Sequence, residues 1–203
     1  MARIETLEQL RTVYAQPSEL VMKKSIPQLE KHCRRIISLS PMVMVGTSDA
    51  NGGQDVTPRG GEPGWVRVID DKTIALPDWP GNNRLDTLRN LLERPNVGLL
   101  FLVPGLDETL RINGRVEIRT DEALCKPFET RGKLPKAVLL VTIDEAYLHC
   151  AKAFMRSKLW EPEARIDRST LPSINEMIKD QLSLDGPALP QSEIAPRYEK
   201  ILY

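Results

Sequence analysis

The stretch MVMVGTSDANGGQDVTPRG, residues 42–60, decides the fold. Val43, Val45 and Thr47 alternate with Met42, Met44 and Gly46, the period-two pattern of a mostly buried strand. Asp49-Ala50-Asn51-Gly52-Gly53 supplies the turn, because Asn-Gly and Gly-Gly favour hairpins. Gln54–Pro58 then returns as a second strand.

Outward from this hairpin the same grammar repeats. Trp65–Ile69 and Thr73–Leu76 read as strands about the turn Asp70-Asp71-Lys72, and Pro77 to Gly81 as a loop. Asn96–Val103 is an apolar strand, and Pro104-Gly105-Leu106-Asp107 turns it back. Thr109–Arg119 places Leu110, Ile112, Gly114, Val116 and Ile118 on one face. Ala137–Ile143 is another apolar strand.

Helices lie at the periphery. Residues 4–14 carry apolar side chains at helical spacing, with Thr6 and Gln9 placed as a capping box. A helix after Pro27 turns Leu29, Cys33 and Ile36–Ile37 inward and ends at Ser40-Pro41, since the residue before proline avoids the α region. Asn82–Glu93 reads as a helix with Leu85, Leu88 and Leu92 on one face, stopped by Arg94-Pro95. A short helix falls near Asp121–Glu129, Glu145–Trp160 reads as helical, and Pro172–Leu182 is a last helix opened by Ser173. The tail Asp185–Pro196, with three prolines, reads as extended.

Six or seven short strands at hairpin spacing predict a mainly β fold with α additions, an antiparallel barrel with peripheral helices. A doubly wound α/β sheet fits worse: strands and helices do not alternate, and neither GxGxxG nor GxxxxGK[ST] occurs. The 203 residues make one domain of residues 1–203 at about 150 residues per domain, with a helical extension over about 1–38 and a C-terminal helix and tail over about 169–203.

Charge bounds the partners. Lys plus Arg and Asp plus Glu both number 28, so a polyanion-binding protein, whether for nucleic acid or for a membrane surface, is excluded as a class. Between Arg59 and Arg119, however, eight arginines face one lysine, and arginine presents a planar fork suited to phosphate and carboxylate. Three cysteines without a CxxC give neither a disulfide framework nor zinc-ribbon spacing. With no apolar run of signal or membrane-spanning length, a cytoplasmic, reducing setting is expected.

Three segments have the residue types for chemistry. Pro80-Gly81-Asn82-Asn83-Arg84 precedes a helix, where free backbone N–H groups and the positive dipole end attract an anion; Asn82 or Asn83 as a plain N-cap explains the same residues. Thr57-Pro58-Arg59 sets a hydroxyl and a guanidinium at a strand end, or is simply a strand-end turn. Together, Arg59 and Arg84 would balance a phosphomonoester carrying about two charges. Lys152, Arg156, Ser157, Lys158 and Trp160 form the third segment: Lys152 and Arg156 share a helical face, with Trp160 four further on, either as a ligand surface or as a solvated basic face with one anchoring Trp. His32-Cys33 and His149-Cys150 make a poor zinc pair, because adjacent side chains do not converge on one ion.

In this order the pieces resemble the FMN-binding split-barrel flavoproteins related to pyridoxamine 5'-phosphate oxidase. The likeness covers roughly residues 30–165. It rests on the 42–60 hairpin, on PGNNRLDTLRNLLERPNVGLLF (80–101) and on ETLRINGRVEI (108–118). HCAKAFMRSKLW (149–160) is similar to the C-terminal signature of an uncharacterised bacterial subgroup. The resemblance implies a split β-barrel, FMN as cofactor, and a homodimer with FMN at the subunit interface. By position, Arg84, Asn82 and Asn83 would hold the FMN phosphate, and Thr57 and Arg59 the phosphate and ribityl chain. Thr109 stands where the oxidases place a flavin-contacting Gln, with Arg111 two residues on, and the Lys152–Trp160 segment would reach the flavin from the partner subunit.

It also implies an FMN-dependent oxidoreductase acting on a small molecule by hydride transfer at N5. The alternatives are a non-catalytic flavin carrier or sensor, or a split barrel holding a deazaflavin or haem. The oxidases end in Trp-Arg-hydrophobe-His-Asp-Arg. Here Trp160 to Arg168 is one residue shorter and has no His, which argues against pyridoxamine phosphate as substrate.

Overall fold

The computed structural model describes residues 3–203. Its elements are α1 (Leu7–Val13), α2 (Glu19–Lys23), α3 (Lys31–Leu39), β1 (Met42–Ser48), β2 (Gln54–Gly60), β3 (Arg67–Val68), β4 (Thr73–Asp78), α4 (Asp86–Glu93), β5 (Asn96–Leu102), β6 (Thr109–Arg119), α5 (Glu122–Cys125), β7 (Ala137–His149), α6 (Lys152–Ser157), α7 (Ile174–Leu182) and α8 (Gln191–Glu199).

All the strands join one seven-stranded antiparallel sheet in the order β2-β1-β5-β6-β7-β4-β3. The sheet does not close, because its edge strands β2 and β3 are not paired with each other. Mainly β with helical additions, it is a split barrel. Alternation works as the sequence implies. Val43 and Val45, Val97 and Leu99 and Phe101, and Leu110 and Ile112 and Val116 all point into one core, and Leu29, Cys33, Ile36 and Ile37 close it from α3. Glu30 caps α3 by accepting from the backbone N–H of His32 and Cys33 at 2.8 and 2.7 Å. Ser173 does the same for α7 through Glu176 N–H at 3.1 Å.

The longest ladder is β6 against β7, running from Thr109 opposite His149 to Arg119 opposite Val138. Its register shifts between Asn113 and Gly114. The bulge frees Asn113 to donate to Glu145, whose carboxylate also accepts from Ser25 at 2.6 Å. These two hydrogen bonds hold Glu145 below the usual carboxylate range.

Five expectations need correction. Residues 145–149 extend β7 instead of beginning a helix, because β6 offers them an unpaired ladder edge; the helix that follows is the short α6. Asn83 and Leu85 adopt left-handed backbone (φ 58° and 62°), so α4 starts at Asp86 rather than Asn82. Its buried face is therefore Thr87 and Leu91, while Leu85 and Leu92 are exposed. The strand at 65–69 is only Arg67–Val68, and β4 continues through Pro77 to Asp78 because both pair with β7. In the 185–196 tail, residues 191–199 are helical with Pro196 inside and Ile194 buried. Finally, α2 carries no pattern that announced it.

A Cβ on Gly114 would lie 2.2 Å from the Thr142 carbonyl oxygen, a backbone atom with no freedom to yield. Gly114→Ala is expected to destabilise the fold by about 2–3 kcal/mol, as overpacking of a fixed site does, read as a lower urea midpoint at an unchanged m-value.

Candidate functional site

Two cavities matter, and they lie on opposite faces of the sheet. The first, about 500 Å³, is where the sheet coils to bring the end of β2 against the end of β4. In β2 the residues paired with inward-facing Val43, Val45 and Thr47 are Arg59, Thr57 and Asp55, so these three share the inner face and line the rim of the barrel. Across from them stand Asp78, Trp79 and the 80–84 loop, with the first turn of α4 and Lys136 completing the wall.

The structure thus brings Thr57, Arg59, Asn82, Asn83 and Arg84 into one cavity from two separate stretches of chain. The loop is shaped by Asn82, which accepts from Arg84 N–H at 3.0 Å, and by the left-handed Asn83 and Leu85 on either side of Arg84. No side chain caps α4, so its first-turn N–H groups open at this wall.

The charges are balanced. Arg59, Arg84 and Lys136 face Asp55, Asp78 and Asp86. Arg84 pairs with Asp86, and Arg59 Nη1 lies 2.9 Å from Asp78 Oδ1. Asp55 accepts from Thr87 Oγ1 at 2.6 Å. Burial pushes the Asp78 carboxyl above the usual Asp range, against the pull of Arg59 and Lys136. Lys136, Asp78, Asp55 and Asp86 were missed by sequence reasoning. Asp78 carried a signal, as a lone carboxylate closing an otherwise apolar strand.

The second cavity, about 420 Å³ and mostly apolar, lies on the outer face against α6. Gly46 and Gly98 are paired neighbours in its floor, leaving a flat strip without side chains. Met44, Leu100, Thr109, Arg111 and Phe154 surround it, and His149 and Cys150 stand at the end of β7. Arg111 lies over the Tyr147 ring at 5.7 Å.

Thr109 and Arg111 are therefore not brought together with Arg59 and Arg84 within one chain. Lys152, Arg156, Ser157, Lys158 and Trp160 line neither cavity; α6 contributes Ala153 and Phe154 instead. The expected common face of Lys152, Arg156 and Trp160 ends early, because α6 stops at Ser157 with Lys158 left-handed. Trp160 instead stacks on Phe154 at 5.4 Å and donates to Leu106 O at 3.0 Å. Among the described residues no His/Cys/Asp/Glu cluster has the geometry to hold a metal, and no helix is long and apolar enough to cross a membrane.

The open seven-stranded barrel with a charge-balanced polar cavity at its rim belongs to the split-barrel class. Residues 29–150 match the family model of pyridoxamine 5'-phosphate oxidase, and the chain belongs to that family, an oxidoreductase-type one. Comparison with curated proteins gives no significant match. Among solved structures, Group A Streptococcus HupZ aligns at TM-score 0.50 and 23% identity, over 59% of this chain and 93% of that one. A Clostridium acetobutylicum protein related to general stress protein 26, of the pyridoxinephosphate oxidase family, aligns at TM-score 0.43 and 17% identity, over 58% and 85%. At 23% identity the HupZ likeness speaks to the fold alone.

The thiols divide by burial. Cys33 is buried and its thiol pushed up to about 11, Cys125 is buried and raised, and Cys150 is exposed beside the second cavity. The thiolate is the nucleophile. Maleimide at neutral pH is therefore expected to label Cys150 in the native protein, and Cys33 and Cys125 only after unfolding, as peptide mass spectrometry will read.

Proposed function

We propose that this protein binds FMN and is an oxidoreductase acting on a small molecule. The observation that carries the reading is the first cavity: it collects, from segments about two dozen residues apart in sequence, the hydroxyl, amides and guanidinia that a phosphate-bearing flavin requires. Arg84 and Arg59 would bind the phosphate, Asn82, Asn83 and Thr57 would orient it, and Lys136 would add a third cation. When bound, FMN supplies a ring that exchanges a hydride at N5.

Thr109 and Arg111 lie on the opposite face, beside a strip of paired glycines that would accept a planar ring. A flavin held at the first cavity of one protomer and touched by the outer face of a second accounts for both sets. This supports a homodimer with FMN at the interface, with Lys152, Arg156, Ser157, Lys158 and Trp160 available to the neighbouring copy. In that arrangement Arg111 would stabilise negative charge on the ring, and the apolar walls would exclude water. Pyridoxamine phosphate is not the substrate we favour, since the Trp160–Arg168 segment lacks the His of the oxidases.

The test is the absorption spectrum of the purified chain before and after adding FMN. A flavin spectrum supports the reading; a colourless protein that takes up no FMN overturns it, and a haem or deazaflavin spectrum assigns the fold to another ligand. Arg84→Ala is expected to weaken FMN by one to two powers of ten, roughly 1.5–3 kcal/mol for a charged hydrogen bond, measured by flavin fluorescence titration. Unchanged affinity rejects that assignment.

A further inference from the structure

The loop that carries Asn82, Asn83 and Arg84 is slack on its own. Residues 79–84 make no backbone hydrogen bond to another backbone group among the described residues. Their side-chain bonds stay local, Asn82 to Arg84 and Arg84 to Asp86. Few ties to the body are the mark of a segment that opens easily. Trp79, at the start of the loop, meets a residue from far along the chain. Its ring packs edge-on against the Tyr203 ring at 4.9 Å, with the two planes at 87°.

The other side of Tyr203 is held by a stiff element. Thr130 and Lys133 exchange both backbone hydrogen bonds at 3.0 Å about the left-handed Arg131 and Gly132 (φ 52° and 73°), a tight hairpin tip. From this tip Lys133 Nζ donates to the Tyr203 main-chain carbonyl at 2.7 Å, and the Arg131 guanidinium lies 5.3 Å from the Tyr203 ring centre. Further along the same stretch Lys136 lines the first cavity, and its N–H donates to the Asp78 carbonyl at 3.0 Å. Tyr203 thus joins a slack wall of the cavity to a fixed one. Ile201 and Leu202 are exposed while Tyr203 is half-buried, so the hold of this part of the tail is Tyr203 itself.

We infer that Tyr203 is a positioning residue for the first cavity: its ring straps Trp79, and through it the 79–84 loop, to the hairpin tip at Arg131–Lys133. The strap does not depend on which ligand the cavity takes; its consequence for ligand release rests on the flavin reading. An aromatic contact of this kind is of a size that changes the population of an opened loop about threefold to tenfold. Opening of such loops sets the rate at which many sites release what they hold.

The experiment uses the full chain without and with FMN. Without ligand, trypsin cuts after Arg84 in proportion to the population of the opened loop, and mass spectrometry times that cut against the others. Tyr203→Ala and Lys133→Met are expected to speed it about threefold to tenfold, with the other cuts and the urea midpoint unchanged. Lys133→Met leaves both rings in place and only frees the tail. Tyr203→Phe is expected to behave as wild type, because the ring and the main chain make all three contacts. With FMN bound, Tyr203→Ala and Lys133→Met are expected to speed flavin release by a similar factor, followed by stopped-flow fluorescence.

A cut after Arg84 at the wild-type rate in either variant overturns the inference and leaves the flavin reading standing. So does faster cutting with unchanged FMN release, which makes the strap a feature of the tail and not of the site. Faster cutting everywhere with a lowered urea midpoint marks Tyr203 as a general fold contact and overturns it too. A Tyr203→Phe variant as fast as Tyr203→Ala assigns the hold to the hydroxyl and overturns the ring strap. Should the chain take up no FMN, the flavin reading fails, and the cut after Arg84 in the two variants alone decides the strap.

Discussion

The pairing of β6 with β7 is the constraint on which the rest of the structure depends. It is the longest ladder in the sheet, and it joins the β2-β1-β5 half to the β4-β3 half. Its regular course is broken once, at Asn113/Gly114, where the Thr142 carbonyl approaches too closely for any side chain. A bulge of this kind bends and twists a strand. The long strands can then follow a coiled sheet, and the two outer edges come round toward each other without joining.

Both cavities are consequences of that ladder. One end of β7 begins at Ala137, directly opposite Asp78, and so delivers Lys136 and Asp78 to the first cavity. The other end finishes at His149, opposite Thr109, and so places His149, Cys150 and α6 over the second. Because strand neighbours alternate sides, residues of one hairpin serve different faces: Thr57 and Arg59 turn to the barrel rim, while Val56, next to Thr57, turns to the outer face. This alternation separates the charged, polar cavity from the apolar one within a chain.

Electrostatics in the first cavity are those of a balanced site. Arginines alone, as the sequence presents them, look like free anion receptors. In the fold each has a carboxylate neighbour, Asp78 for Arg59 and Asp86 for Arg84. A ligand there exchanges partners within an existing network, so its fit depends on hydrogen-bond matching as much as on net charge.

The sequence by itself determined β1 and β6 from alternation, β2 from the turn before it, β5 from its apolar run, helix α3 with its inward face, and helix α7 with its Ser173 start. It also marked Thr57, Arg59 and Asn82–Arg84 as one candidate set. Period and turn chemistry are local, so they survive without knowledge of the fold. Tertiary structure alone decided the rest. Residues 145–149 are strand because β6 supplies a pairing edge that no local pattern records. The α4 helix starts late because the loop between Trp79 and Leu85 is bent to fit the rim. Asp78 and Lys136 join Arg59, and His149 joins Thr109, only when the β4–β7 and β6–β7 ladders set distant residues opposite one another. Register is a long-range property: it is fixed by which strand lies alongside, and the site is assembled from it.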